Sequence, residues 1–217
     1  MRKLAFVLVA LVAFQLSAAP QKHTKKNPSS KTGSTTAASS TAGSAATTGR
    51  AGPSEAYADP KLTPGATNPA VTQANIAQNI CKIGWSTGSL RDTQTTPAQK
   101  ATTYAAYGIP HPKNNTGPNQ TCELDHLISI ENGGADTLNN IWPECGPANI
   151  TIAKRYFKMK DAVENYVHNG ICHDVPNPKL SSGPKPSKAL TLQEGQDILK
   201  GDWYACYVKL KASKDCN

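Results

Sequence analysis

Residues 122–145, CELDHLISIENGGADTLNNIWPEC, constrain what this chain can fold into more than any other stretch. Leu127, Ile128 and Ile130 form one short apolar run and Ile141 with Trp142 another, both too short for helices, so they read as two strands. Asn132-Gly133-Gly134 lies between them and supplies residues that accept a positive φ, as a connection between antiparallel strands requires. A cysteine closes each end, Cys122 before the first strand and Cys145 after the second. The expected unit is therefore a small hairpin around which the remaining elements pack.

Those elements read as helices. Asn68-Pro69 is a start signal, and Val71, Ala74, Ala77 and Cys81 follow at helical spacing, which predicts a first helix ending near Cys81. Thr96-Pro97 repeats the signal for a second short helix that closes at Gly108, and residues 113–121 are a loop by composition. Beyond Pro147, the residues Ile152, Tyr156, Met159, Val163 and Tyr166 or Val167 make one apolar stripe, ending at Gly170. Thr191 and Glu194 form a capping box for a last helix whose apolar face is Ile198, Leu199, Trp203, Tyr207 and Leu210, with Gly201 as a kink. Strands in one short block among several helices place the chain in the α+β class.

The first quarter reads differently. Arg2 and Lys3, the apolar run from Leu4 to Leu16 and the small residues Ser17-Ala18-Ala19 have the order of a secretory signal peptide, so residues 1–18 are expected to be removed and the protein to be secreted or periplasmic. An uncleaved anchor is the other reading of the run, but it is short for a bilayer span and no mature membrane span is expected. Residues 19–58 are Ser, Thr, Ala and Gly with scattered Lys and no hydrophobic period, and read as a disordered tether. Residues 59–217 then remain, enough for one domain with one core.

Charge points only weakly to a partner. The formal net charge is +8, but residues 1–58 hold 7 of the 23 Lys and Arg and a single acid, Glu55. In the domain the basic residues cluster locally as Lys154, Arg155, Lys158 and Lys160, a candidate phosphate-contacting face.

Asp125 and His126 are adjacent, so on a strand they point to opposite faces unless a bulge or strand end aims both at one place. Asn140 follows at the start of the second strand, and Asn149 at the expected start of the long helix. Asp-His, a Gly-Gly connection, Asn-Ile-Trp-Pro and a helix bearing Lys160-Asp161 and Glu164 together resemble the HNH endonuclease superfamily with its ββα-metal fold. The flanks agree: Leu62-Thr63-Pro64-Gly65, Asn68-Pro69, Ile80-Cys81 and Gly201-Asp202-Trp203 look like those of secreted bacterial HNH proteins, over about Asp59 to Leu210.

The resemblance implies a metal-dependent endonuclease acting on nucleic acid, DNA before RNA. Hydrolysing a phosphodiester requires a nucleophilic water, a base to deprotonate it and a cation to offset charge on the phosphate. His126 is the candidate base, because a histidine carries a useful neutral fraction at neutral pH. Asp125 and Asn149 are the candidate ligands of one divalent ion, Mg²⁺ or alternatively Mn²⁺, with Asn149 standing where the family name has its last histidine. Asn140 corresponds to the middle Asn, which in the family bonds within the loop and fixes the histidine. No small-molecule cofactor is expected. A scaffold that kept the fold without the chemistry, an extracellular module binding nucleic acid or envelope polymers, is the alternative.

Six cysteines remain to be used: Cys81, Cys122, Cys145, Cys172, Cys206 and Cys216. An even number in an exported chain argues for disulfides, and no Cys-x-x-Cys is present to favour the competing use as zinc ligands. Spacing alone leaves the connectivity open. Cys122 with Cys145 is the preferred pair because they flank the hairpin; Cys81 with Cys172 would tie the first helix to the loop after the long one, leaving Cys206 with Cys216.

Overall fold

Helix starts in this protein are set by side chains that satisfy the free amides of the first turn. The structure is a computed structural model and describes residue 50, residues 52–91 and residues 95–216. Thr96 and Gln99 form a reciprocal box at the start of α1 (Pro97–Ala106): the Thr96 amide donates to Gln99 Oε1 at 2.8 Å and the Gln99 amide to Thr96 Oγ1 at 3.2 Å. Thr191 and Glu194 do the same for α3 (Leu192–Lys200), at 2.7 and 3.1 Å. The expected kink at Gly201 is instead a complete break, after which Asp202 caps a separate helix, α4 (Trp203–Lys211), accepting from the Ala205 amide at 3.1 Å. Glycine is required at the break, since a Cβ on Gly201 would lie 2.7 Å from the Asp197 carbonyl oxygen.

The hairpin is present, with its first strand displaced from the expected one. Strands β1 (Cys122–His126) and β2 (Ile141–Cys145) pair antiparallel, Cys122 opposite Cys145 and His126 opposite Ile141. Leu127 and Ile128 are buried but lie past the end of β1: the Leu127 amide still donates to the Asn140 carbonyl at 2.8 Å, whereas the Ile128 amide donates to the Asn140 side chain at 2.9 Å. Ile130 opens a 3₁₀ turn in the connecting loop. The glycine pair there has two uses: Gly133 has φ +80°, and Gly134 runs so close to Ile128 that a Cβ would sit 1.8 Å from its carbonyl oxygen.

The long helix, α2 (Tyr156–Ile171), begins later than expected. Ile152–Lys154 form a separate 3₁₀ turn, and Arg155 is extended and buried, its guanidinium bonded to the Pro147 carbonyl. The Tyr156 amide donates to the Gly146 carbonyl at 2.9 Å, which joins the helix start to the end of β2. The first expected helix shrinks to a 3₁₀ segment, Gln73–Gln78, between a Thr72–Asn75 box and Asn79, whose side chain binds the next amide. Polar side chains that compete for backbone amides in this way limit helix growth.

One face of α2, with Val163, Tyr166, Val167 and Ile171, buries against Leu199 of α3 and against Trp203 and Cys206 of α4. This core also contains Ala56 and Tyr57, and Ala58 is buried in a second cluster with Leu127 and Trp142. The Trp203 indole N–H donates to the Ala56 carbonyl at 2.9 Å. The folded domain therefore starts before Asp59, and the last residues expected in the tether belong to it. The expected signal peptide and the rest of the expected tether, apart from residue 50, lie outside the described residues.

Three disulfides connect Cys81 to Cys172, Cys122 to Cys145 and Cys206 to Cys216. They suit folding in an oxidising compartment. Among the described residues no helix is long and apolar enough to cross a membrane.

Candidate active site

The end of β1 carries Asp125 and His126, and strand alternation separates them as the unbulged geometry demands. His126 turns toward the loop that follows the glycine pair. Its Nε2 lies 2.8 Å from Oδ1 of Asp136, and Lys100 Nζ on α1 reaches the same carboxylate at 2.6 Å. Burial alone would raise the Asp136 carboxyl, but its hydrogen bonds with Lys100 and His126 outweigh this and hold it below the ordinary value. An ionised Asp136 fixes the tautomer: Nε2–H donates and Nδ1 keeps its lone pair. Nδ1 has no hydrogen-bond partner among the described residues, and the side chain is 13% exposed against 2% for Asp136. Burial also lowers the His126 pKa, with Asp136 and Asp125 opposing, so the ring stays neutral to lower pH than an ordinary histidine.

Asn140 is fully buried and bonds within the loop. Its Nδ2 donates to the carbonyls of Ile128 at 2.8 Å and Ala135 at 2.9 Å, while its Oδ1 accepts from the Ile128 amide. It thereby ties the segment two residues after His126 to the residue before Asp136. Its neighbour Asn139 is exposed and contributes a backbone carbonyl to the Gly65 amide.

Asp125 faces α2. Lys160 Nζ donates to Asp125 Oδ2 at 2.6 Å, to the His126 carbonyl at 2.8 Å and to Glu164 Oε1. All three ammonium protons are thus used, and the Lys160 side chain is 0% exposed. Burial works against its charge, but Asp125, Glu164 and Glu144 outweigh it and hold the ammonium protonated beyond the ordinary lysine range. Burial raises Asp125 too, yet Lys160 brings it below its ordinary value. Burial likewise drives Glu144 and Glu164 well above theirs, reinforced by the charge of Asp125 and opposed at both by Lys160. Glu144 is completely buried on β2 and neither carboxyl oxygen meets a donor among the described residues. Two ionised carboxylates would repel there; with a proton on Glu144 the contact becomes a hydrogen bond donated to Asp125.

The expected basic face therefore needs correction. Lys160 is sealed among carboxylates, and Arg155 is buried against Pro147. Lys154 and Lys158 are exposed, Lys158 paired with Asp161 at 2.7 Å. Asn149 also differs from its expected place: it lies in the exposed loop between β2 and α2 with φ +54°, and does not open the helix. Only Asp125 of the expected ligand pair is in the site, and its carboxylate already carries Lys160 and faces Glu144. Among the described residues no group of three or more His, Cys, Asp or Glu is assembled as a metal site. The divalent ion implied by the resemblance does not fit this donor arrangement.

The sequence reading missed Asp136, Lys100 and Glu144. A signal existed for Glu144, an acid inside the apolar strand Ile-Trp-Pro-Glu-Cys on the same alternation as Glu123 and Asp125 across the register. The sequence held none for Asp136, whose meeting with His126 depends on the path of the loop. Comparison with known proteins found no matching family model, no matching curated protein and no matching solved structure.

Proposed function

We propose that this protein is an exported endonuclease that hydrolyses phosphodiester bonds of DNA, with His126 as general base. The observation that carries the reading is the Asp136–His126 pair: a buried carboxylate holds Nε2–H, leaving Nδ1 unprotonated on a partly exposed ring. The same logic orients the imidazole of a catalytic triad. The antiparallel hairpin of β1 and β2, with α2 packed against both strands, supports the reading.

In this reading Nδ1 removes a proton from water as the water oxygen bonds to phosphorus. The bond to the leaving oxygen breaks, and that oxygen takes a proton from solvent. Lys100, 19% exposed and bonded to Asp136, places positive charge beside the base, where the phosphate would lie. Lys154 and Lys158 remain as outer phosphate contacts. Among the described residues Asp125 is neutralised by Lys160, which favours a second reading, an HNH-like module that binds nucleic acid or envelope polymer without cutting it.

One gel separates the two. Oxidised wild-type protein and His126→Ala are incubated with supercoiled plasmid, in Mg²⁺, in Mn²⁺ and in excess chelator. Nicking by the wild type, with a loss of about 100-fold or more in His126→Ala, is the expected result. A folded wild-type protein that leaves the plasmid intact in all three buffers overturns the nuclease reading and favours the binding module.

A further inference from the structure

Helix α4 is apolar around more of its circumference than the core covers. Trp203 and Cys206 are buried. A second stripe, Tyr204, Tyr207, Val208 and Lys211, has the i, i+3, i+4, i+7 spacing of one helix face. Its tyrosines are half-buried, Val208 is 53% exposed and Lys211 is exposed. Tyr204 packs edge-on against Tyr156 and Trp203, with the Tyr207 ring 6.4 Å away. The chain arrives at this face from residue 50. The Arg50 guanidinium lies over the Tyr57 ring and donates to the Lys200 carbonyl at 3.0 Å, and a Cβ on Gly52 would be 2.8 Å from the Tyr204 ring. Before it in the sequence, residues 20–49 hold Lys22, Lys25, Lys26 and Lys31 and no acid.

We propose that the outer stripe of α4 and the basic segment before Arg50 together dock this protein on an anionic phospholipid bilayer, with Val208 set into the headgroup boundary. This does not rest on the protein being a nuclease. Apolar residues flanked by lysine on a surface helix gain by entering that boundary, and tyrosine suits its depth, since the ring is apolar and the hydroxyl wet. Lysines near the surface are each drawn to an anionic leaflet. Neither part suffices alone: one valine between two half-buried rings is a small apolar area, and exposed charges are screened by salt, so lasting attachment takes both. Acids are also close, with Glu55 acting on Tyr156 and Asp202 bonded to Tyr57, but the four lysines, Arg50 and Lys211 outnumber them. The same excess of positive charge disfavours a second copy, whose basic segment would meet this one. Stacked bases need open ring faces, whereas Tyr204 is engaged edge-on by two neighbours.

The test uses the oxidised chain from residue 19 onward. It is sedimented with vesicles of one part phosphatidylglycerol to two parts phosphatidylcholine, or of phosphatidylcholine alone. Wild type is expected to bind the anionic vesicles and to bind the neutral ones about 100-fold more weakly. Val208→Glu should weaken binding to the anionic vesicles about tenfold or more and leave the melting temperature unchanged, because the side chain is exposed. If it melts lower, Val208→Ser takes its place with the same direction expected. Lys22→Ala, Lys25→Ala, Lys26→Ala and Lys31→Ala combined should cost about 100-fold. A wild type that ignores anionic vesicles overturns the proposal, and so does a Val208 variant that binds them like the wild type. Single-stranded DNA and analytical ultracentrifugation are run in parallel. If the Val208 change abolishes DNA binding or a dimer but spares vesicle binding, the stripe belongs to that partner and the proposal falls. Plasmid cleavage is not a readout, so failure here and failure of the nuclease reading are separate results.

Discussion

Asp125 and His126 are consecutive residues on one strand, yet their carboxylate and ring have opposite surroundings. On the Asp125 side charge is enclosed: the lysine that pairs with it has no exposure, and its three protons are all taken. On the His126 side the buried member is the carboxylate, and the ring keeps one nitrogen unbonded among the described residues. Strand alternation alone produces the division. The enclosed side holds α2 to the hairpin, and the open side is where chemistry is available. A buried, fully bonded charge holds elements together, whereas a partly exposed, half-bonded ring keeps a nitrogen available for proton transfer.

The largest effect is expected on the enclosed side. Lys160→Met strands Asp125 and Glu164 without a counter-charge and should lower stability by about 3–5 kcal/mol in chemical denaturation. If the loss is no greater than in Lys100→Met, whose ion pair is partly exposed, the contrast between the two sides fails. On the open side, Asp136→Asn removes a charge-assisted hydrogen bond worth about 1.5–3 kcal/mol and should slow plasmid cleavage by about tenfold or more. Asp136 raises the His126 pKa, so in this variant the acid limb of the pH–rate profile should move to lower pH. A limb that moves upward would remove Asp136 from that role.

The smallest effect is a gain. Glu144 keeps its proton in the folded protein beyond the pH at which the unfolded chain gives it up, because its folded pKa lies above the ordinary 4.5. Stability therefore falls as pH rises through and above the ordinary glutamate range. Glu144→Gln donates to Asp125 without a titrating proton, so it should flatten that slope and add about 1 kcal/mol at neutral pH. Destabilisation instead would mean that Glu144 is ionised and paired on the enclosed side.

What the sequence made legible was local. Thr96-Pro97, Thr191 with Glu194, and the Gly-Gly connection each act within a few residues, and the disulfide flanking the hairpin followed from position. Distances counted along the chain were less secure. The position of Asn149 depended on the helix starting near it, and the 3₁₀ turn with the extended Arg155 moves that start to Tyr156. Composition concealed Ala56 and Tyr57, whose burial is created by Trp203 and Asp202 near the other end of the chain. Lys160 was read as surface charge because a basic cluster carries no mark of which member turns inward. The acids that claim it are on other elements.

The Cys81–Cys172 bond spans a sequence separation of 91 residues, and every side chain of the candidate site lies inside that ring: Lys100, Asp125, His126, Asp136, Asn140, Glu144, Lys160 and Glu164. A protease cutting the exposed loop at Lys113 would open the backbone but release no fragment, because both new ends stay bound to one covalent circle. The pieces would separate on a gel only after reduction. This makes durability under digestion a property of the linkage, separate from the stability of the fold.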